Sequence, residues 1–136
     1  MTDARRALGA AGEARAAQWY RERGYQVLAQ NWRCRDGELD LVVARGRLLV
    51  VVEVKTRRTD RFGTPAEAVT RAKQLRLRQL SLRYLEATGA QPSALRFDVV
   101  SILAGRLEVI QAAFLGGGPS RPSRADVRPA PTPIAA

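Results

Sequence analysis

Residues 37–57 read GELDLVVARGRLLVVVEVKTR, and two strands joined by a tight turn account for the pattern. Glu38 to Ala44 and Leu48 to Lys55 are rich in branched aliphatic residues, and the short Arg45-Gly46-Arg47 connection makes them the strongest hairpin signal in the chain. Side chains alternate across a strand, so Glu53 and Lys55 share one face of the second strand. Glu38 and Asp40 likewise share a face of the first, with Leu39, Leu41 and Val43 on the other. A two-residue Arg45-Gly46 loop would pair 44 with 47, 40 with 51 and 38 with 53, placing Asp40 diagonally beside Glu53 on one face. A four-residue loop keeps that parity, whereas a three-residue loop turns Asp40 to the opposite side.

The uninterrupted run Val50-Val51-Val52 predicts a strand covered on both faces. Charges that follow such a run need a partner, because an unpaired buried charge is costly. Two carboxylates with water form the oxygen-rich set that Mg²⁺ prefers, with bonds of about 2.1 Å. A lysine beside them can orient or deprotonate an attacking water, or stabilise the charge that builds on a phosphate. Asp40, Glu53 and Lys55 are therefore the candidate chemical constellation. A solvent-facing Glu–Lys pair on an ordinary strand is the plainer alternative.

Outward from this hairpin, a first helix is expected from Thr2 or Asp3 to Arg23, stopped by Gly24, with Leu8, Gly12, Ala16 and Trp19 on one face. Tyr25 to Arg33 reads as a strand and Asp36-Gly37 as a turn. After the polar, basic stretch Thr56 to Gly63, Thr64-Pro65-Ala66-Glu67 forms a capping box for a helix that reaches Thr88 and ends at Gly89. Thr70 is positioned to cap a second segment within it, and Leu75, Leu77, Leu80, Leu82 and Leu85 supply its apolar side. Leu95 to Leu103 and Leu107 to Ile110 are two more strands, separated by an Ala104-Gly105 turn. The order α-β-β-β-α-β-β predicts an α/β domain over residues 1–115, a central mixed sheet flanked by helices. Residues 116–136, GGGPSRPSRADVRPAPTPIAA, are expected to be a disordered Gly/Pro/Arg-rich tail.

The 136 residues, 46% of them hydrophobic, suffice for one core without disulfides. Cys34 is the single cysteine and there is no histidine, which excludes a Ser-His-Asp triad, a histidine base and a Cys/His zinc cluster. The N-terminal MTDARRALGA lacks the apolar segment of a secretory signal, and the longest apolar run, Leu48 to Val52, is far too short to span a bilayer. A cytoplasmic protein without a membrane partner is expected. With 23 basic against 13 acidic residues, the net charge of +10 favours a polyanionic partner, nucleic acid being the commonest. Arg33, Arg35, Arg57, Arg58 and Arg61 flank the constellation and are candidates for phosphate contacts. Trp19 and Trp32 suit a core or groove-lining role, and Cys34, without a histidine partner, that of a bystander.

The motifs GELDLVV, VVEVKTR, FGTPAEAV with a following lysine, and RFDVV resemble the YraN-type family of bacterial proteins. That family looks like a set of compact members of the PD-(D/E)XK nuclease superfamily, which has a restriction-endonuclease-like core, and is similar to archaeal Holliday-junction resolvases. The resemblance runs from about Gly9 to Phe114 and includes, in order, Gly12-Glu13, Gly24-Tyr25, Asn31, Arg33, Gly37-Glu38, Asp40 and Glu53-Val54-Lys55. It implies that Asp40 and Glu53 bind a metal, Mg²⁺ or in its place Mn²⁺, that Lys55 is the catalytic lysine, and that Glu13 is the further acidic member of the site. Leu39 stands where the superfamily more often has proline, which leaves Asp40 itself in place. Lys73 and Gln74 fall where superfamily members often place a polar residue facing the site, which makes Lys73 a candidate for contact with nucleic acid.

The function implied is a metal-dependent endonuclease acting on DNA, on branched or other non-B structures by analogy with resolvases. A homodimer is the matching assembly, since a junction offers two symmetric cuts. A nucleic-acid-binding module without turnover, or an accessory protein on the same fold, are the competing readings.

Overall fold

The computed structural model describes residues 3–58 and 69–114, with side chains described from Gly9 onward. Along these residues run α1 (Asp3–Arg21), β1 (Gln26–Cys34), β2 (Gly37–Arg45), β3 (Leu48–Arg57), α2 (Arg71–Thr88), β4 (Ala94–Leu103) and β5 (Arg106–Phe114). This is the expected α-β-β-β-α-β-β order. The five strands form one mixed sheet in chain order, antiparallel except for the parallel neighbours β3 and β4, which α2 connects.

Burial on both faces fixes the centre of the sheet. Leu48 to Val52 are all buried, because alternate residues enter two different cores. Leu48, Val50 and Val52 join Leu41, Val43, Val100 and Ile102 beneath Ala16, Ala17 and Tyr20 of α1. Leu49 and Val51 join Val42, Phe97 and Val99 beneath Leu77, Leu80 and Tyr84 of α2. The result is a helix–sheet–helix sandwich in which a strand of successive β-branched and leucine residues can lie only in the interior.

The hairpin keeps the parity expected from the sequence but shifts its register by two. Arg45 pairs with Leu48 and Leu41 with Val52, so the loop is Gly46-Arg47 rather than Arg45-Gly46. Continued towards the far end, this register sets Asp40 level with Glu53 instead of diagonal to it. Gly46 takes a φ of 61°, the left-handed conformation a two-residue hairpin loop requires. Leu39 departs from the expected face and packs in the α2-side core with Trp32, whereas Leu41 and Val43 stay on the α1 side. Between the pairs Gln30–Leu41 and Trp32–Leu39, Asn31 has a φ of 52°, a local irregularity that breaks simple alternation at this end of the ladder.

α2 begins at Arg71, capped by the Thr70 hydroxyl, which accepts the Lys73 N–H at 3.2 Å, and ends at Gly89, whose N–H reaches Leu85 O at 2.8 Å. The Thr64–Glu67 capping box and Arg61 lie outside the described residues. The buried stripe of α2 is Leu77, Leu80, Ser81 and Tyr84. Leu75 and Leu82, expected on that stripe, are 54% and 59% exposed. The 3.6-residue period explains this, since neither falls on the 77-80-81-84 arc. β5 extends beyond Ile110 to Phe114, whose ring stacks on Phe97 at 4.8 Å.

A buried polar network joins α1 to the sheet. Arg96 donates from Nε to Asp98 Oδ1 at 2.8 Å and from Nη2 to Oδ2 at 2.9 Å, and also from Nη2 to the Tyr25 hydroxyl at 3.0 Å. The Tyr20 hydroxyl donates to Asp98 Oδ2 at 2.6 Å. Burial, with the Asp98 carboxylate beside it, raises the Tyr20 phenol and keeps it a donor. The charge pair is thereby fully hydrogen-bonded, the condition under which burial is tolerated.

At Gly12, α1 lies so close to β3 that an added Cβ would strike Thr56 Oγ1. Gly12→Ala is expected to lower stability by roughly 1–3 kcal/mol through overpacking. Gly9→Ala, where a Cβ meets no atom within 4 Å, should be neutral or raise stability by up to about 1 kcal/mol. Chemical denaturation of the two variants checks this, and equal destabilisation by both would contradict the close contact.

Candidate active site

The close approach at Gly12 brings the next residue, Glu13, to the end of the sheet where β2 and β3 carry their acidic residues. Glu13, Glu38 and Asp40 each present a carboxylate oxygen, and these atoms lie within 4.8 Å of one another. Asn31 hydrogen-bonds the Glu13 side chain, yet Glu13 Oε2 is buried without a hydrogen-bond partner among the described residues. Asp40 Oδ2 accepts the Val54 N–H at 2.9 Å, which fixes that carboxylate across the β2–β3 pair.

Glu53 stands at the end of the buried β3 run and is only 7% exposed. It is not in the three-carboxylate group. Its Oε1 instead receives Lys73 Nζ at 2.8 Å and lies 3.5 Å from Lys55 Nζ. A cleft of about 500 Å³ opens between this sheet end and α2, with Glu38, Asp40, Glu53, Lys73 and Arg76 on its walls.

Burial, reinforced by the crowding of like charges, governs the electrostatics. Burial, then the Glu53 carboxylate, pushes Asp40 up to about 7 against a weaker opposing pull from the Val54 N–H. Burial also raises Glu13, with smaller contributions from Glu38 and Glu53 in the same direction. Lys55 is lowered by burial and by its contact with Lys73. Burial acts the same way on Lys73, but its hydrogen bonds to Glu53 and Lys55, with the nearby carboxylates, outweigh that and raise it.

The structure thus gathers Glu13, Asp40, Glu53, Lys55 and Lys73, all named from the sequence, at one end of the sheet. It adds Glu38 to the oxygen cluster, and Glu53 sits beside the lysines rather than in that cluster. The flanking arginines are more dispersed. Arg33 is exposed and pairs through Nε with Glu38 Oε2 at 3.0 Å, at the rim of the cluster. Arg35 is exposed in the β1–β2 turn, Arg57 closes β3, and Arg58 is exposed just after it. Asn31 and Arg76 received no role from the sequence. An asparagine in the left-handed region is the signal for the first, since that conformation is what frees its side chain from the strand pattern. Trp32 packs edge-on against Tyr84 at 5.4 Å, and Trp19 lies under the Arg23 guanidinium at 3.8 Å, so both aromatic rings are engaged within the fold.

A single α/β layer sandwich with an acidic cluster and two lysines at one sheet end is the class of protein defined so far. The family follows from comparison with known sequences. The model of the uncharacterised protein family UPF0102 matches residues 12–102, and the chain belongs to that family. A UPF0102 protein of Symbiobacterium thermophilum is 49% identical over 114 residues, covering 80% of this chain and 97% of that protein. Those of Beutenbergia cavernae and Mycolicibacterium vanbaalenii are 47% and 46% identical, over 84% and 85% of this chain and 97% and 96% of theirs. This is the YraN-type family that the sequence motifs resemble. No helix among the described residues is long and apolar enough to cross a membrane.

The raised Asp40 has a consequence for stability. The folded protein holds the Asp40 proton more tightly than the unfolded chain does, so stability falls as pH rises from the ordinary carboxylate range through about 7. Glu13 acts in the same direction. Asp40→Asn should therefore raise the melting temperature at pH 8 and flatten its decline between pH 5 and pH 8. Thermal melts across that range check this, and a destabilised variant at pH 8 would contradict it.

Proposed function

We propose that the protein is a Mg²⁺-dependent endonuclease that hydrolyses DNA phosphodiester bonds in the cytoplasm. The observation that carries this reading is the convergence of three carboxylates within 4.8 Å beside the Glu53–Lys55–Lys73 group. The donor set fits the ion. Glu13 Oε2 is a buried oxygen lacking a partner among the described residues, and hard carboxylate oxygens are the ligands that Mg²⁺ and Mn²⁺ take. Glu13, Glu38 and Asp40 would hold the ion, with Glu53 within reach at the same sheet end. When bound, the ion supplies Lewis acidity towards a phosphoryl oxygen and charge neutralisation.

The protein's own residues do the rest. The Val54 N–H fixes Asp40 Oδ2, and Asn31 fixes Glu13, so the acidic floor is preorganised. Lys55 Nζ orients the attacking water and offsets charge that gathers on the phosphate. Water attacks phosphorus in line and loses one proton to solvent, the bond to the leaving oxygen breaks, and that oxygen takes up one proton from solvent. Arg76 in the cleft, with exposed Arg35 just after β1 and exposed Arg58 just after β3, offers phosphate contacts that steer the backbone. The net charge of +10 favours this encounter over the whole surface.

The motifs resemble those of the PD-(D/E)XK superfamily and of resolvases, which directs the substrate expectation to branched or other non-B DNA and the assembly to a homodimer. The test is incubation of linear, nicked and four-way-junction DNA with Mg²⁺ or Mn²⁺. Cleavage should fall at least 100-fold in Asp40→Asn and in Lys55→Ala, the order of loss typical when a charge-stabilising or proton-handling group is removed. Binding without turnover in either metal, unchanged by both substitutions, would make the protein a nucleic-acid-binding module instead. Metal-free binding to DNA should also weaken steeply between 50 and 200 mM salt, as counterion release demands.

A further inference from the structure

Of the 23 basic residues, 21 are arginine, and the only two lysines are Lys55 and Lys73. Both approach one atom, Glu53 Oε1. They come from different elements, Lys55 from β3 and Lys73 from the first turn of α2. A chain that otherwise uses arginine carries the compact, readily displaced ammonium at both of these positions. An arginine fork would grip the carboxylate bidentately, whereas lysine offers a point charge on a flexible stem.

Glu53 is held by these ammonium groups while the neighbouring Glu13, Glu38 and Asp40 oxygens gather without it. The register nevertheless sets Asp40 level with Glu53 across the β2–β3 pair. Glu53 is thus near the cluster but bound to a competitor. Of its two partners, Lys73 is the closer, at 2.8 Å against 3.5 Å, and it lines the same cleft as Arg76.

We propose that Lys73 is a positioning residue, a latch that holds Glu53 off the three-carboxylate cluster and releases it when a backbone phosphate in the cleft takes the ammonium. This rests on the metal-site reading above. Divalent ion and phosphodiester then compete for opposite halves of one ion pair. The ion draws Glu53 and the phosphate draws Lys73, so each favours the other by the reciprocity of linked binding. Premature metal loading is thereby limited until the nucleic acid is in the cleft.

A double-mutant cycle over Lys73→Met and Glu53→Gln tests the latch, with circular dichroism melts establishing that each variant is folded and Lys73→Gln as a second removal of the charge. Mn²⁺ affinity is read by titration calorimetry without DNA. Lys73→Met should bind Mn²⁺ about 5–10-fold more tightly than wild type, within the usual range of coupling between sites. In the Glu53→Gln background the same substitution should change affinity by less than about 2-fold. Binding of a labelled four-way junction in EDTA gives the reciprocal reading, with Glu53→Gln strengthening it and Lys73→Met abolishing that gain. No gain on removing Lys73, or an equal gain in both backgrounds, would reduce the effect to general charge and overturn the latch. If Mn²⁺ binds and Asp40→Asn abolishes it while the cycle is flat, only the latch fails. If no variant binds Mn²⁺ at all, the metal site fails with it.

Discussion

Burial of β3 on both faces is the constraint from which the rest of the architecture follows. Leu48 to Val52 must be covered above and below, so one helix lies on each side of the sheet. The run ends at Glu53, still buried, with no apolar substitute. A charged residue at that depth requires a counter-charge, and Lys73 of α2 and Lys55 of the same strand provide it. The end of the hydrophobic run is therefore also the place where both helices contribute polar groups. α1 arrives with Glu13 because Gly12 lets the helix approach Thr56, and α2 arrives with Lys73 because Thr70 starts the helix three residues earlier.

The acidic end is held together at an electrostatic cost that other contacts offset. Burial, with Glu53, Glu13 and Glu38 crowding around it, lifts Asp40 towards neutrality. The Val54 N–H, Asn31, Arg33 and the two lysines each neutralise part of this repulsion. On the α1 face of the sheet, the Tyr20–Asp98–Arg96–Tyr25 network anchors the same helix that carries Glu13. Stability is thus concentrated in the two cores and that network, and strain in the acidic cluster. Such a division is common where a site is arranged for chemistry at the expense of local stability.

Much of this was legible in the chain. The alternation of β2 and the unbroken run of β3 carry a period and a length that admit few other folds, and the parity of the hairpin survives because even loop lengths preserve it. The register itself did not, since a loop of Gly46-Arg47 and one of Arg45-Gly46 are equally compatible with the residue types. That difference of two moves Asp40 from beside Glu53 to opposite it. Leu75 and Leu82 illustrate another limit, because leucine composition suggested a broad apolar side where helical period allows only a narrow arc. The separation of Glu53 from the other carboxylates was beyond sequence reasoning altogether. It depends on an ion pair between β3 and a helix that starts sixteen residues after Lys55, and strand alternation says nothing of such a distant partner.

The divalent-cation site proposed at the Glu13, Glu38 and Asp40 carboxylates is open to direct observation. Anomalous diffraction from crystals of the protein soaked in Mn²⁺ tests it most directly. A manganese peak is expected within about 2.3 Å of oxygens from at least two of those three residues, a range set by carboxylate–metal bond lengths. Crystals diffracting well in saturating Mn²⁺ with no peak at that cluster would contradict it.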